Sequence, residues 1–408
     1  MEPVPMTDFL TVVRLDAGGD AKVHPGAVIL GLPLVRRIVL AAQQAGANRI
    51  LILAPDAEET RRLLEGTPAL VAAPHEPLPQ LPPGRIVLLA GTVLFQAKWL
   101  RALFETPIER EQLYAEASLV GMIESDDPRA ILSGGAHGRA VPDVFASVAK
   151  ARPVVPRTFP QEGRFVLTGP QDCQQAEDWL LRGLIKEKEG FMSRHIERPI
   201  SLTISRRLAS TSITPNAMTL FSVGVGLLGA PFFLSSRPAY QLTGALLFLL
   251  HSILDGCDGE LARLKFQESR WGGILDFWGD NVVHVAVFMC MGIGWSLAAQ
   301  AAWPLILGGT AVAGTLLSAG FVYRHTMREQ AKPGPLFTSV SKHGCSWLSQ
   351  MADALARRDF IYLVVLLSAA GKATWFLALA GIGAPIFFLV LLAVAATEAR
   401  REGRLDAT

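Results

Sequence analysis

Two kinds of hydrophobic pattern divide the chain near residue 190. Before it, short apolar runs alternate with stretches of helical periodicity. Arg49–Leu53 (RILIL), Arg85–Leu89 (RIVLL), Ser118–Ile123 (SLVGMI) and Arg164–Leu167 (RFVL) read as strands. Leu34–Ala45, Ala57–Glu65 and Phe95–Glu105 read as helices. This alternation predicts a mostly parallel, layered sheet, and so a soluble α/β domain over residues 1–190. The Pro-rich stretch Ala73–Gly84 is expected to be a loop.

Residues 191–212 are basic and mildly amphipathic, with Ile200, Leu202, Ile204 and Leu208 set among Arg194, Arg198, Arg206 and Arg207. They predict a juxtamembrane helix lying on a membrane surface. From Ile213 onward long stretches carry no charge: none stands between Arg207 and Arg237, between Arg237 and Asp255, or between Asp280 and Arg324. A membrane span needs about 20 apolar residues. Six are expected, near 216–234, 239–255, 273–297, 302–323, 360–377 and 380–397, with Lys372 near the last turn. They make residues 213–400 an all-α, six-transmembrane-helix domain, followed by a short tail over 401–408.

The basic side chains sort by side. One set of connections carries only Arg237 and Lys372, whereas the other carries Lys265, Arg270, Arg324, Arg328, Lys332, Lys342, Arg357, Arg358, Arg400, Arg401 and Arg404. The positive-inside rule then places both termini and the N-terminal domain in the cytosol, on an inner (cytoplasmic) membrane. The N-terminus lacks a basic region followed by an apolar core, so no signal peptide is expected. Composition agrees: 50% of the 408 residues are hydrophobic and only 18% charged, which excludes a disordered chain. A net charge of +2 argues against nucleic acid as a partner. Cys173, Cys257, Cys290 and Cys345 show no metal-ligand spacing and read as isolated thiols.

The chemistry lies at the junction of the second and third expected spans. Asp255, Asp258, Gly259, Ala262 and Arg263 follow at i, i+3, i+4, i+7 and i+8, so they share one helix face. Gly272, Asp276 and Asp280 share a face of the next helix, and the short loop Leu264–Trp271 makes the two helices antiparallel neighbours. Four carboxylates therefore converge at membrane depth, where charge is costly. Divalent cations would relieve their repulsion, and an all-oxygen donor set suits Mg²⁺ or Mn²⁺. Gly259 and Gly272 allow a ligand close to the backbone, and Arg263 offers a forked donor suited to phosphate. Metals, phosphate recognition and a lipid-facing cavity point to phosphoryl transfer with a lipid-linked partner. A metal pair would clamp the pyrophosphate, and one carboxylate would deprotonate an incoming hydroxyl.

The run DGCDGELAR, eight residues, then GGILDFWGD fills every position of D-x2-D-G-x2-A-R-x8-G-x3-D-x3-D. On that signature the chain resembles the CDP-alcohol phosphotransferases (CDP-alcohol phosphatidyltransferases) over about residues 200–400. Ser212–Thr219 (SITPNAMT) is similar to the Thr-Pro-Asn segment that precedes the family's first span. The resemblance implies an enzyme that transfers a substituted phosphate from a CDP-alcohol, often CDP-diacylglycerol, to an acceptor hydroxyl and releases CMP. It implies that Asp255, Asp258 and Asp276 hold two metal ions with Asp280 close by, and that Asp280 is the general base. It also implies that Gly259, Ala262 and Arg263 contact the CDP moiety, with Gly272 and Asn216 nearby, and that the protein is a homodimer. Arg324, His325, Lys342 and His343 fall on the active-site side as candidate cations for a phosphorylated acceptor, although positive-inside anchoring also explains them. The alternatives are a phosphodiester synthase of the inositol-phosphate type with a non-lipid CDP-alcohol donor, a transporter with an acidic site, and a non-catalytic scaffold.

In the first half, Gly31–Leu34, the helix to Ala45 and the run from Gly46 to Pro55 resemble the early part of a sugar-nucleotidyltransferase-like domain. The order of the halves resembles archaeal-type inositol-phosphate cytidylyltransferases fused to CDP-alcohol phosphotransferases. Two departures imply a degenerate domain. The segment Ala17–Lys22 (AGGDAK) lacks the Gly-rich phosphate loop, and Leu88–Thr92 (LLAGT) ends in Thr92 where those enzymes place a metal-binding Asp. Cytidylyl transfer is therefore expected to be lost.

Overall fold

A computed structural model describes residues 9–15, 23–133, 143–185, 190–327 and 360–405. The chain forms two compact units, Met1–Gly183 and Leu184–Thr408.

The first unit is built on a seven-stranded sheet. Its strands, in chain order, are β1 (Phe9–Arg14), β4 (Arg49–Leu53), β5 (Leu70–Ala72), β6 (Gly84–Ala90), β8 (Leu113–Glu116), β9 (Val120–Ser125) and β10 (Val154–Pro156). Two small antiparallel pairs stand apart: β2 (Val28–Ile29) with β3 (Leu32–Pro33), and β7 (Val93–Phe95) with β11 (Arg164–Val166). The sheet order is β10-β8-β9-β6-β1-β4-β5. β5, β4, β1 and β6 run parallel, and β9 lies antiparallel to both β6 and β8. The mostly parallel sheet is thus present, closed on one side by an antiparallel segment. Its central strands are near-continuous apolar runs because both faces are covered. One face packs Leu10, Val12, Leu51 and Leu88 with Ile131, Val144 and Phe145 from the helices Pro128–Leu132 (α4) and Val144–Ala151 (α5).

The expected elements fall close to their places. Helix α1 occupies Leu34–Ala45 and ends at Gly46, whose φ of 107° is open to glycine. Helices α2 (Ala57–Leu63) and α3 (Ala97–Glu105) follow, with Val93–Phe95 forming β7 rather than the start of α3. The run around Ser118 becomes strand only from Val120, because Ala117 turns the chain at φ 47°. Helix α6 (Asp172–Arg182) completes the unit.

The second unit is helical: α7 (Arg198–Ala209), α8 (Pro215–Gly229), α9 (Pro238–Leu264), α10 (Arg270–Ala299), α11 (Trp303–Val322), α12 (Phe360–Ala369) and α13 (Ala373–Leu405). Among the described residues, four helical stretches are long and apolar enough to cross a membrane: Pro215–Leu234, Arg270–Ala299, Trp303–His325 and Ala373–Thr397. This makes the second unit an integral membrane structure, with four such helices where six were expected. The second expected span is the first part of α9, whose later turns carry Asp255, Asp258, Glu260 and Arg263. The fifth is the ten-residue α12. The break between the last two helices lies at Gly371–Lys372, not near 378–379. Gly371 turns the chain at φ 69°, and Lys372 N donates to Leu367 O at 2.7 Å. Lys372 therefore stands at the turn, as its charge predicted, and Pro385 is accommodated inside α13.

Glycines set how closely α8 and α9 approach. A Cβ on Gly244 would lie 2.9 Å from Gly229 O and 3.0 Å from the Phe233 ring. Such close backbone contact is how helices associate where the hydrophobic effect is weak. Gly244→Ala should therefore lower stability by about 1–3 kcal/mol by forcing the helices apart. A clear fall in the thermal midpoint of the detergent-solubilised chain would show this, and an unchanged midpoint would contradict it.

Candidate active site

The site grows from two helix starts and one helix end. Thr214 caps α8, its Oγ1 accepting from Ala217 N at 3.3 Å, with Pro215 at the first helical position. Asn216 follows on the exposed first turn. Ser269 caps α10, its Oγ accepting from Gly272 N at 3.0 Å. The connection between α9 and α10 is tight: Gln267 N donates to Ala262 O at 2.8 Å, and Phe266 sits at φ 55°. Lys265, just past the end of α9, donates from Nζ to Thr211 O and Ile213 O, both at 2.7 Å. This clips the end of α9 to the turn that precedes α8. Burial holds the Lys265 ammonium below its ordinary pKa.

Asp255 and Asp258 lie one turn apart on α9 and are buried. Asp276 reaches them from α10. One oxygen from each of the three carboxylates lies within 4.8 Å of the others. Asp276 Oδ1 is buried without a hydrogen-bond partner. Three converging carboxylates with such an oxygen among them fit a hard divalent cation. Asp280 is not part of this close group. It lies one turn further along α10, 18% exposed, with Oδ1 3.5 Å from His251 Nε2.

Gly259 and Ala262 are half-buried on the carboxylate side of α9. Gly272 faces Asn216: a Cβ on it would lie 2.9 Å from Asn216 Oδ1, so only glycine leaves that approach open. Arg263 folds back beside Gly259, where a Cβ would meet its Nη1 and Nη2 at 3.6 and 3.8 Å. Arg324 and His325 are exposed in the π-helical turn Tyr323–Met327 that ends α11. His325 packs its ring on Phe321, and the neighbouring Tyr323 meets Trp278 of α10 with ring centroids 5.9 Å apart. Lys342 and His343 lie outside the described residues.

Several residues were missed by the motif. Thr219 of α8 donates from Oγ1 to Asp258 Oδ2. His251 is almost fully buried, with Nδ1 2.9 Å from Ser222 O and Nε2 toward Asp280. Glu260 is held by Arg198 and Ser201 of α7. A signal existed for His251, since 251, 255, 258 and 262 follow at helical spacing. No signal existed for Thr219 or for the α7 residues, whose contacts are with other helices.

Residues 212–351 match the family model for CDP-alcohol phosphatidyltransferase. The bifunctional IPC transferase and DIPP synthase of Rubrobacter xylanophilus is 38% identical over 150 residues, which are 36% of this chain and 33% of that one. The archaetidylinositol phosphate synthase of Pyrococcus horikoshii is 24% identical over 178 residues, 42% of this chain and 86% of that one. A solved nucleotidyl transferase from Methanothermobacter aligns at 16% identity with a TM-score of 0.32, over 43% of this chain and 98% of that one. The chain spans about a quarter to a third of the length of the first curated relatives it matches.

Thr219→Val keeps the shape of the side chain and removes the hydroxyl that orients Asp258. Divalent-cation affinity, measured with Mn²⁺ by calorimetry, should fall roughly 10- to 100-fold. Unchanged affinity would show that Asp258 does not depend on this contact.

Proposed function

We propose, from the CDP-alcohol phosphatidyltransferase domain that residues 212–351 form, that this chain is a membrane phosphotransferase. It would transfer a substituted phosphate from a CDP-alcohol, CDP-diacylglycerol in our reading, to an acceptor alcohol in phospholipid biosynthesis. The observation that carries this reading is the convergence of Asp255, Asp258 and Asp276 from two helices within 4.8 Å, on a sequence motif with every position filled. A transporter or scaffold gives no reason for carboxylates to gather at that cost.

Asp255, Asp258 and Asp276 would hold two Mg²⁺ ions, or Mn²⁺, with Asp280 beside them. When bound, the ions would neutralise charge on the pyrophosphate and on the departing phosphate. Gly259, Ala262 and Gly272 leave room for the cytidine diphosphate, Asn216 lines its edge, and Arg263 grips a phosphate oxygen with its forked donors. Asp280 takes the proton of the acceptor hydroxyl. That oxygen forms a bond to the phosphorus bearing the donor alcohol, the bond from this phosphorus to the bridging oxygen breaks, and CMP departs with the electron pair. His251 holds Asp280 from the side away from solvent. Arg324, His325 and Lys342 would meet a phosphorylated acceptor. The concentration of basic residues on one side supports a cytosolic active site on the inner membrane, and the family resemblance supports a homodimer.

A second reading, a soluble CDP-alcohol as donor, is favoured by the name of the Rubrobacter relative, an IPC transferase and DIPP synthase. The order of the two halves also favours it. For the first unit we propose a degenerate nucleotidyltransferase-like domain that scaffolds or regulates. Strand β6 ends at Ala90, Gly91 N donates to Arg14 O at 2.7 Å, and Thr92, not a carboxylate, follows in the turn.

Two measurements test these readings. Asp280→Asn should lower CMP release from CDP-diacylglycerol by about 10²- to 10⁴-fold while cation binding persists; wild-type turnover in this variant would remove Asp280 from the role of base. The full chain incubated with CTP, Mg²⁺ and inositol phosphate should release no pyrophosphate. Release above background would overturn the degenerate assignment.

A further inference from the structure

One flank of α9 carries Arg263 together with residues that have no part in the chemistry above. Gly256, Glu260 and Arg263 follow at i, i+4 and i+7 and lie beside the carboxylate face. The Glu260 side chain is completely buried. Its Oε1 accepts from Arg198 Nη1 and from Ser201 Oγ, each at 2.7 Å. Both donors come from α7, outside the residues that match the family model. Helix α7 reaches α9 because its inward side chains are small: Ser201, Ser205 and Ala209 are buried, whereas Ile200 faces outward. The Arg198 guanidinium lies over Gly256, where a Cβ would be 3.4 Å from Nη1. One turn on stands Arg263. Two buried atoms on this flank have no hydrogen-bond partner: Glu260 Oε2 and Arg263 Nε.

Arg198 is paired with Glu260, and the charges of both act on Arg263 in opposite senses. We infer that Arg198 and Glu260 are positioning residues for Arg263, and that the ion pair makes the juxtamembrane helix part of the donor site. Glu260 balances the repulsion between the guanidiniums, and Arg198 occupies Glu260 so that the carboxylate does not capture Arg263. With Arg198 gone, Glu260 becomes a buried carboxylate without its partner, one helical turn from a guanidinium with an unpaired Nε. Pairing between them would then be strongly favoured, and it would draw Arg263 away from the donor's phosphate. The inference rests on the CDP-alcohol reading.

The test uses the full chain in nanodiscs, with CDP and Mg²⁺ as the probe and calorimetry as the readout, so that no acceptor is needed. Arg198→Met should weaken CDP binding on the order of 10- to 100-fold, the scale found for outer-shell partners. Removing Glu260 as well, in Arg198→Met/Glu260→Gln, should recover part of that loss, because the competing carboxylate has gone. Removing the orphaned carboxylate would also restore stability, so affinity is compared for the folded fraction alone, where a residue that only stabilised the fold would leave CDP binding at the wild-type value. Arg198→Lys, which keeps the charge but loses the fork, should bind CDP several-fold more weakly and serves if Arg198→Met does not fold. Thr203→Ala, on the exposed face of α7, should bind as wild type does. Folded Arg198 variants with wild-type affinity, or losses that merely add, would overturn the inference alone. A wild-type chain that does not bind CDP would overturn the CDP-alcohol reading and the inference with it.

Discussion

Like charge held at close range in a poorly solvated place governs the membrane half. Carboxylate oxygens within 4.8 Å of one another repel by about 3 kcal/mol or more per ionised pair, even at an effective dielectric near 20. Helix packing alone does not offset that cost three times over. The surrounding structure is arranged around it. Thr219 donates to Asp258, His251 stands against Asp280, and a divalent cation is the natural counter-charge for the rest. The glycine contacts between α8 and α9 serve the same end, because Thr219 and Ser222 reach the α9 residues only if the helices lie close together.

Helix α9 is consequently used on more than one side. One face carries His251, Asp255, Asp258 and Ala262 into the site. A flank carries Glu260 against Arg198 and Ser201. In its earlier turns the helix carries Phe248 and Ala245 into the apolar core shared with Val283, Val287 and Phe288 of α10. The charged turns lie in the second part of the helix, so the first part is free to be apolar. This division explains why α9 is not among the helices apolar enough to cross a membrane throughout, although it packs among them.

The first unit follows a different economy. Its stability comes from a sheet covered on both faces, and several of its polar groups are tied into caps, turns and ion pairs within the unit. Asp56 caps α2, and Asp172 accepts from Thr168 and Gly169. Arg37 is buried against Ile29 O and Leu30 O, and burial brings its pKa down to about 10. Glu116 accepts from Arg164 and from Phe159 N; burial alone would raise its pKa, but these hydrogen bonds hold it below its ordinary value. These contacts hold the frame of the unit.

Local pattern was enough for much of this. Periodicity marked α1 and β4 to the residue, and the spacing of Asp255, Asp258 and Asp276 announced their convergence, because a short loop between two helices leaves few ways to arrange them. Strand β1 was not marked, although it lies inside the sheet; its short run is given meaning only by β4 and β6 on either side. Lys372 marked the turn between the last two helices, but the span bounds ran past it, because the apolar residues on either side read alike in both helices. Residue order and type alone determined the two-part layout, the apolar helices and the acidic motif, since each depends on neighbours within a few turns. Tertiary structure alone decided which partners those acids meet: Thr219 for Asp258, His251 for Asp280, and Arg198 for Glu260. Those contacts join separate helices, and their distances depend on how closely small residues let the backbones pack.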